Sequence, residues 1–229
     1  MYKRQTLVFD GHGGSSAFGA IDDKTPNAYE EAWDIIDTNG ATTGGVPLVI
    51  NGVSANNMFI YTTPDMGGAT LTASYINGGG SSTAPEGSTA FAVAYTGMEG
   101  LTIGAGISDN EEAESVTVDE TTIYATYATG GFTIGVQSSD RDHTTAGSDA
   151  ESMAYGITYA VNDDMSIGYS YHELETELTT DEDQESTGIS ASYTMGGMTL
   201  AGAMNDVDNM AGTATRDHEG YEFTLSFAV

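Results

Sequence analysis

Residues 152–161 read Ser-Met-Ala-Tyr-Gly-Ile-Thr-Tyr-Ala-Val, in which small residues alternate with bulky apolar ones. Successive side chains of a β-strand point to opposite faces, so Met153, Tyr155 and Ile157 share one face and the small residues between them share the other. One face is therefore bulky and apolar, and the other is small and weakly polar. The same division recurs in residues 89–96, 101–108 and 186–195.

Strand-like segments of this kind fill most of the chain. One, Thr6–Asp10, precedes residue 11, and eleven follow residue 56. The eleven lie near 57–63, 69–77, 89–96, 101–108, 121–128, 132–139, 152–161, 165–176, 186–195, 198–207 and 218–228. Short turns rich in Gly, Asn and Asp alternate with longer, acidic connections. Regular short strands joined in this way predict an all-β antiparallel meander.

A tyrosine marks each two-strand repeat, a few residues before a short turn. The series is Tyr61, Tyr95, Tyr127, Tyr159 and Tyr193, at intervals of 34, 32, 32 and 34 residues. A propeller blade would need four strands in such a period, whereas each period here holds two. We expect these tyrosines to form one aromatic girdle.

Composition excludes several classes of function. The formal net charge is −29, which argues against nucleic-acid binding because that requires cationic groups. There is no Cys, so disulfides and thiolate metal sites are excluded. The 39% of apolar residues and the regular alternation argue against disorder. No apolar run approaches the roughly 18 residues of a membrane-spanning helix.

Charge placement distinguishes a soluble sheet from a membrane barrel. The strand centres are almost free of charge, and the acids collect in the long connections, as in 109–120, 140–151 and 173–185. A ten-residue strand tilted near 45° climbs roughly 25 Å, the height of the apolar band of an outer-membrane barrel. The pattern predicts an antiparallel transmembrane β-barrel with its bulky face toward lipid and its small face toward water.

Residues 11–56 are the long segment without this alternation. They are rich in Gly and carry a polar patch, Pro26-Asn27-Ala28-Tyr29-Glu30-Glu31-Ala32-Trp33-Asp34. Loops of this length inside a compact domain are usually functional or disordered. We expect this one to fold into the barrel and narrow a pore, with Trp33 packing it against the wall.

The alternation of turns and loops, the girdle and the long early loop together resemble a Gram-negative outer-membrane general-diffusion porin of the trimeric, sixteen-stranded type. The resemblance covers residues 6–229, as a single barrel domain, and identifies 11–56 as the constriction loop that follows the fifth strand. It implies about 12 of 16 strands, an N-terminally truncated fragment, a homotrimer, and contact with outer-membrane lipid and lipopolysaccharide. Residues 1–5 resemble a translated sequencing adapter, so we expect a non-native start.

The resemblance also implies a passive channel for small hydrophilic solutes and ions. Carboxylates in the loop would attract cations at the constriction and give a mild cation preference. These are Asp22, Asp23, Glu30, Glu31, Asp34 and Asp37. The alternation along the strands places four further side chains on the lumen-facing side, and we expect them to be exposed to water: Asp10, Gln137, His172 and Glu222.

Other functions have weaker support. The acidic loops could bind Ca²⁺ or Mg²⁺ loosely and bridge lipopolysaccharide, but none has the spacing of a dedicated calcium loop. His12-Gly13-Gly14 faintly resembles a lipase oxyanion segment, yet no Gly-x-Ser-x-Gly accompanies it, so an enzyme is not expected. A secreted or cell-surface acidic β protein with a binding or structural role remains the alternative. A channel specific for sugars or phosphate would need aromatic tracks or basic clusters in the lumen.

Overall fold

The computed structural model describes residues 4–34, 42–43, 46–47, 49–78, 87–113, 116–177 and 182–228. Its main feature is one antiparallel sheet of twelve strands, in which every strand pairs with its neighbours in the order of the chain. The predicted meander is therefore confirmed, strand for strand. Among the described residues, no helix is long and apolar enough to cross a membrane.

The twelve strands are numbered along the chain. They are β1 (Thr6–Asp10), β2 (Met58–Thr62), β3 (Ala69–Ile76), β4 (Gly87–Met98), β5 (Leu101–Ala113), β6 (Val116–Thr129), β7 (Phe132–His143), β8 (Ala150–Asn162), β9 (Met165–Thr176), β10 (Gln184–Met195), β11 (Met198–Asp208) and β12 (His218–Phe227). A short 3-10 turn, Met210–Gly212, precedes β12.

Two of the short turns consist of paired glycines with positive φ angles, as tight hairpins require. Gly130 and Gly131 join β6 to β7 with φ of 57° and 86°, and Gly196 and Gly197 join β10 to β11 with φ of 57° and 89°. Two successive positive φ angles favour glycine and match the twist of antiparallel strands. These turns fix the strand register, and the register decides which side chains share a face.

The two faces of the sheet differ as the alternation predicts. On one face, which we call the outer face, Tyr155 is 45% exposed and Ile134 is 51% exposed. On the other, the inner face, Ala154 and Gln137 are only 5% and 4% exposed. The inner face is buried because the segment that follows β1 packs against it.

Strand ends differ from the prediction. Most strands from β4 onward run two to five residues further into the long connections than expected, so Asp109, Asp119, Asp140 and Glu151 belong to strands and not to loops. Antiparallel pairing continues beyond the apolar band because polar strand ends can still hydrogen-bond to each other in water. Glu114 and Asp181 lie outside the described residues.

Residues 11–56 are not wholly irregular. Gly14–Ser15 pairs with Ser54–Ala55, and Thr42–Thr43 pairs with Val46–Pro47. The first pairing joins the two ends of the segment. Two-residue pairings are too short to show in an alternation pattern, so the sequence could not indicate them.

The tyrosine series lies on the outer face. By register, Tyr61 shares that face with Leu7, and Tyr159 lies beside Phe132, with ring centroids 4.5 Å apart. Tyr95 and Tyr127 lie against the turn glycines Gly97 and Gly100, and Tyr193 pairs with Leu200 across the hairpin closed by Gly196 and Gly197. All five therefore stand near the short turns, as a girdle requires.

Candidate functional site

The segment after β1 crosses the inner face of the sheet from one side to the other. Ala17 N–H donates to Ser74 Oγ on β3 at 2.8 Å, and Ala28 N–H donates to Ser190 Oγ on β10 at 3.0 Å. Asn205 Nδ2 on β11 donates to the backbone oxygen of Glu31 at 2.9 Å. Because one short segment touches strands from β3 to β11, the sheet must curve around it.

A row of glycines on the inner face makes room for this segment. A Cβ on Gly156 would lie 2.3 Å from the backbone oxygen of Pro26, and one on Gly168 would lie 2.9 Å from the nitrogen of Ala28. A Cβ on Gly188 would lie 2.9 Å from the Cα of Ala32. The sequence prediction that the small residues line water is therefore wrong at these positions, because the loop covers them.

Gln137, at the centre of β7, fastens the loop to the wall. Its Oε1 accepts from Lys24 N–H at 2.6 Å, and its Nε2 donates to the backbone oxygen of Ile21 at 2.8 Å and to Thr122 Oγ1 at 2.8 Å. The alternation along the strand correctly placed this residue on the inner face, but the expectation that its side chain is exposed to water is wrong. Its amide groups are used in holding the loop.

His172 is likewise on the inner face and buried, so it is not a wet side chain either. It is 3% exposed, and its ring lies 4.5 Å from the indole of Trp33, centroid to centroid. Trp33 also packs against Val207 and Ala211. The loop is therefore held against the wall by an aromatic contact as well as by hydrogen bonds.

Five of the six predicted constriction carboxylates lie on the described part of the loop, and Asp37 lies outside the described residues. Glu30, Glu31 and Asp34 offer carboxylate oxygens that all lie within 4.8 Å of one another. Asp22 Oδ2 accepts from Gly52 N–H at 2.8 Å, while the exposed Asp23 pairs with Lys24 Nζ at 3.0 Å. The sequence thus identified residues that the fold brings together.

Burial changes the acidity of this group. It raises the pKa of Asp22 to about 7. Burial, followed by the charges of Asp34 and Glu31, raises the pKa of Glu30 to about 7. The pKa of Glu31 is also raised, mainly by burial. Closely spaced carboxylates without enough compensating positive charge favour any process that brings a proton or a cation to them.

The two other predicted lumen residues lie at the margins of the site. Asp10 is on the inner face at the end of β1, where its Oδ1 accepts from His12 N–H at 3.1 Å. Glu222 on β12 accepts a short hydrogen bond from the hydroxyl of Tyr29, which also contacts Thr224. Glu222 therefore helps to fasten the loop tip to the last strand.

Sequence reasoning missed the residues that seat the loop. Tyr29, Asn205, Ser190 and the inner-face glycines are examples. The glycines carried a usable signal, since a glycine in a strand often marks a close backbone approach. No local pattern could have paired Asn205 with Glu31, because these residues are 174 positions apart in the chain.

The family model described as Gram-negative porin matches residues 4–204. The chain belongs to this porin family. No curated protein sequence matches it. Membership places the protein in the bacterial outer membrane and decides against the alternative of a secreted or cell-surface acidic β protein with a binding or structural role. It also supports a channel role.

Solved structures share the β-barrel fold of this porin at low identity. The anion-selective porin from Comamonas acidovorans aligns with a TM-score of 0.65 and 19% identity, over 82% of this chain and 63% of that one. The outer-membrane OmpT of Vibrio cholerae aligns with a TM-score of 0.66 and 14% identity, over 96% and 75%. A porin refined at 1.8 Å aligns with a TM-score of 0.64 and 17% identity, over 98% and 78%. This chain therefore spans less than two thirds of the length of the Comamonas porin.

The raised pKa values predict a titration near neutral pH. As the pH falls from 8 to 6, Asp22 and Glu30 should take up protons, because burial and neighbouring charges disfavour their ionised forms. Infrared spectroscopy of the folded porin should then show the carbonyl band of about two protonated carboxyl groups.

A double variant, Asp22→Asn with Glu30→Gln, is the control. Asn keeps an oxygen that can accept from Gly52 N–H, so the loop should stay seated while the part of the neutral titration that belongs to Asp22 and Glu30 disappears. A wild-type titration confined to pH values below 5 would contradict the assignment.

Proposed function

We propose that this porin is a passive channel for small hydrophilic solutes and ions, narrowed by residues 11–56, with a preference for cations. The observation that carries the proposal is the carboxylate group of Glu30, Glu31 and Asp34, held on a loop across the inner face. No covalent step is involved, because selectivity in such a channel comes from pore width and fixed charge.

Fixed charge in the described part of the loop is strongly negative. Glu30, Glu31, Asp34, Asp22 and Asp23 are opposed there only by Lys24. Lys24 is itself paired with Asp23. Acidic rings concentrate cations and repel anions, and the effect is stronger where protein walls exclude water.

The related porin from Comamonas acidovorans is described as anion-selective. Porins of one fold can therefore differ in the sign of their selectivity, and the fold gives no guide to the sign in this chain. The proposal for this chain depends on its own charges. A formal net charge of −29 is consistent with the repulsion of anions.

Neutralising the carboxylate group tests this proposal. The triple variant Glu30→Gln, Glu31→Gln, Asp34→Asn should lower the cation-over-anion permeability ratio in planar bilayers under a KCl gradient. At pH 8, above the pKa of about 7 of Glu30, the reversal potential should move toward zero, because the variant removes negative charge from the loop.

A matched control removes three carboxylates that lie outside the loop, in the short turns between strands. The changes are Glu99→Gln, Asp163→Asn and Asp164→Asn. This control should leave the reversal potential close to that of the wild type. If the loop variant and the wild type have the same reversal potential, these residues do not determine selectivity.

A second set of acids lies on the outer face, at the ends of the strands nearest the long connections. The register places like charges directly opposite each other in several strand pairs: Asp109 and Asp119, Asp140 and Glu151, Glu151 and Glu175, and Glu173 and Glu185. Opposed like charges destabilise a sheet. They persist more easily if a divalent cation lies between them.

We therefore include lipopolysaccharide among the proposed partners. Ca²⁺ or Mg²⁺ would bridge these outer-face carboxylates to its phosphate groups, because both cations prefer oxygen ligands. The apolar band of the same face would contact lipid chains. A homotrimer is also proposed, in keeping with the related OmpT of Vibrio cholerae, which has been solved in a trimer form.

Removal of divalent cations tests the bridge. In vesicles that contain lipopolysaccharide, chelation with EDTA should lower the thermal unfolding temperature of the wild-type porin. The variant Asp140→Asn with Glu151→Gln should respond less, since it lacks one opposed pair. The variant Asp163→Asn with Asp164→Asn, in a short turn, should respond like the wild type. An equal response of all three proteins would contradict the proposed bridge.

A further inference from the structure

The connection between β11 and β12, residues 209–217, folds back over the inner face of the sheet, and we call it the strap. Ala211 N–H donates to Oε1 of the fully buried Gln184, the first residue of β10, at 2.9 Å. A Cβ on Gly212 would lie 3.1 Å from Oγ1 of Thr176, the last residue of β9. The strap therefore covers the ends of β9 and β10 that lead into the long connections.

The buried part of the strap also packs with the loop that crosses the inner face. Trp33 of the loop packs against Ala211 of the strap and Val207 of β11, and Met210 packs against the same pair. Trp33 lies beside His172 as well, with ring centroids 4.5 Å apart. The wall and the strap therefore hold Trp33 jointly.

The backbone of the strap is strained. Asn209, Ala211 and Thr215 have φ angles of 51°, 58° and 66°, and they are three of the four non-glycine residues with positive φ in the described part of the chain. This conformation is unfavourable for any residue with a Cβ, and most unfavourable for a β-branched residue such as Thr215. Such strain persists only where surrounding contacts hold it, and it is common in segments with two arrangements.

Hydrogen bonds inside the strap make it a closed unit. Met210 N–H donates to the backbone oxygen of Arg216 at 2.8 Å, and Arg216 N–H donates to that of Thr213 at 3.1 Å. Asn209 N–H donates to Asp217 Oδ1 at 3.3 Å. Because these bonds join the two ends of the strap, it can lift from the wall as one piece while β11 and β12 stay paired.

We propose that the strap positions the constriction loop, and that release of the strap lets Trp33 leave the wall so that the pore widens. The inference rests on the proposed channel and its narrowing by residues 11–56. When the strap is seated, Ala211 covers Trp33. When the strap lifts, Trp33 keeps only its contacts with the wall, and the loop is held less firmly. The channel then has a narrow and a wide conducting state, and the seating of the strap sets the share of each.

A reversible disulfide between the strap and the wall tests the inference. The protein has no Cys, so Thr176→Cys with Gly212→Cys introduces a single pair. A Cβ on Gly212 would lie close to the Thr176 side chain, and a disulfide spans roughly 3.5–4.5 Å between Cβ atoms. In single-channel recordings in KCl, the oxidised protein should stay in the narrow state. Dithiothreitol should restore transitions to the wide state, and neither reagent should affect the wild type.

Substitutions inside the strap should shift the two states in opposite directions. Met210→Ala should raise the frequency of transitions to the wide state about fivefold, because packing in the cluster with Ala211 is lost, whereas Met210→Leu should keep it within about twofold of the wild type. Thr215→Gly should lower the frequency about threefold, because glycine accepts the positive φ without strain.

Thr213→Gly is the matched control for relief of strain. Thr213 is exposed, like Thr215, but its φ is −102°, so glycine relieves nothing there and should not lower the frequency. Each variant should unfold thermally at the wild-type temperature, which separates positioning of the loop from a general loss of stability.

The outcomes separate this inference from the channel itself. Absence of any KCl current would overturn the proposed function. A KCl current with the same conducting states in the oxidised and reduced double-Cys protein, or failure of that pair to cross-link, would overturn positioning by the strap alone. Equal effects of Thr213→Gly and Thr215→Gly would overturn it too, as would a single conducting level in both the wild type and Met210→Ala.

Discussion

Side chains alternate between the two faces of each strand, and this alternation determines which residues can contact the loop. In a bilayer every backbone group must be hydrogen-bonded within the protein, which leaves a paired sheet as the means of crossing with strands. Pairing then fixes two faces: bulky side chains such as Tyr155 lie on the outer face, and small ones such as Gly156 face inward. The small face leaves room for the loop, and the loop holds its carboxylates against the inner face.

The sequence predicted the sheet well because its signal is local. A period of two identifies a strand and its faces from a few adjacent residues, and this gave all twelve strands and the inner position of Gln137 and His172. Strand ends were predicted less well. The sequence predicted that acids such as Asp140 and Glu151 lie in loops. They pair in the sheet instead, because polar strand ends remain solvated beyond the apolar band.

The candidate site was predicted only in part, for a different reason. The carboxylates Glu30, Glu31 and Asp34 are close in sequence, so their proximity could be expected from one polar patch. The seating of the loop needs contacts between distant parts of the chain, such as Trp33 with His172. No sequence period encodes such a contact. The inner-face glycines were visible in the sequence, but they equally suited a wall that lines water.

Disulfide cross-linking can establish whether the loop lies on the small-residue face inside the sheet. The protein has no Cys, so introduced pairs have no competitors. Ala28→Cys with Ser190→Cys should cross-link in the membrane-embedded porin, because Ala28 N–H lies 3.0 Å from Ser190 Oγ. Ala28→Cys with Ile189→Cys should not, since Ile189 points to the outer face. Cross-linking of the second pair and not of the first would contradict the account.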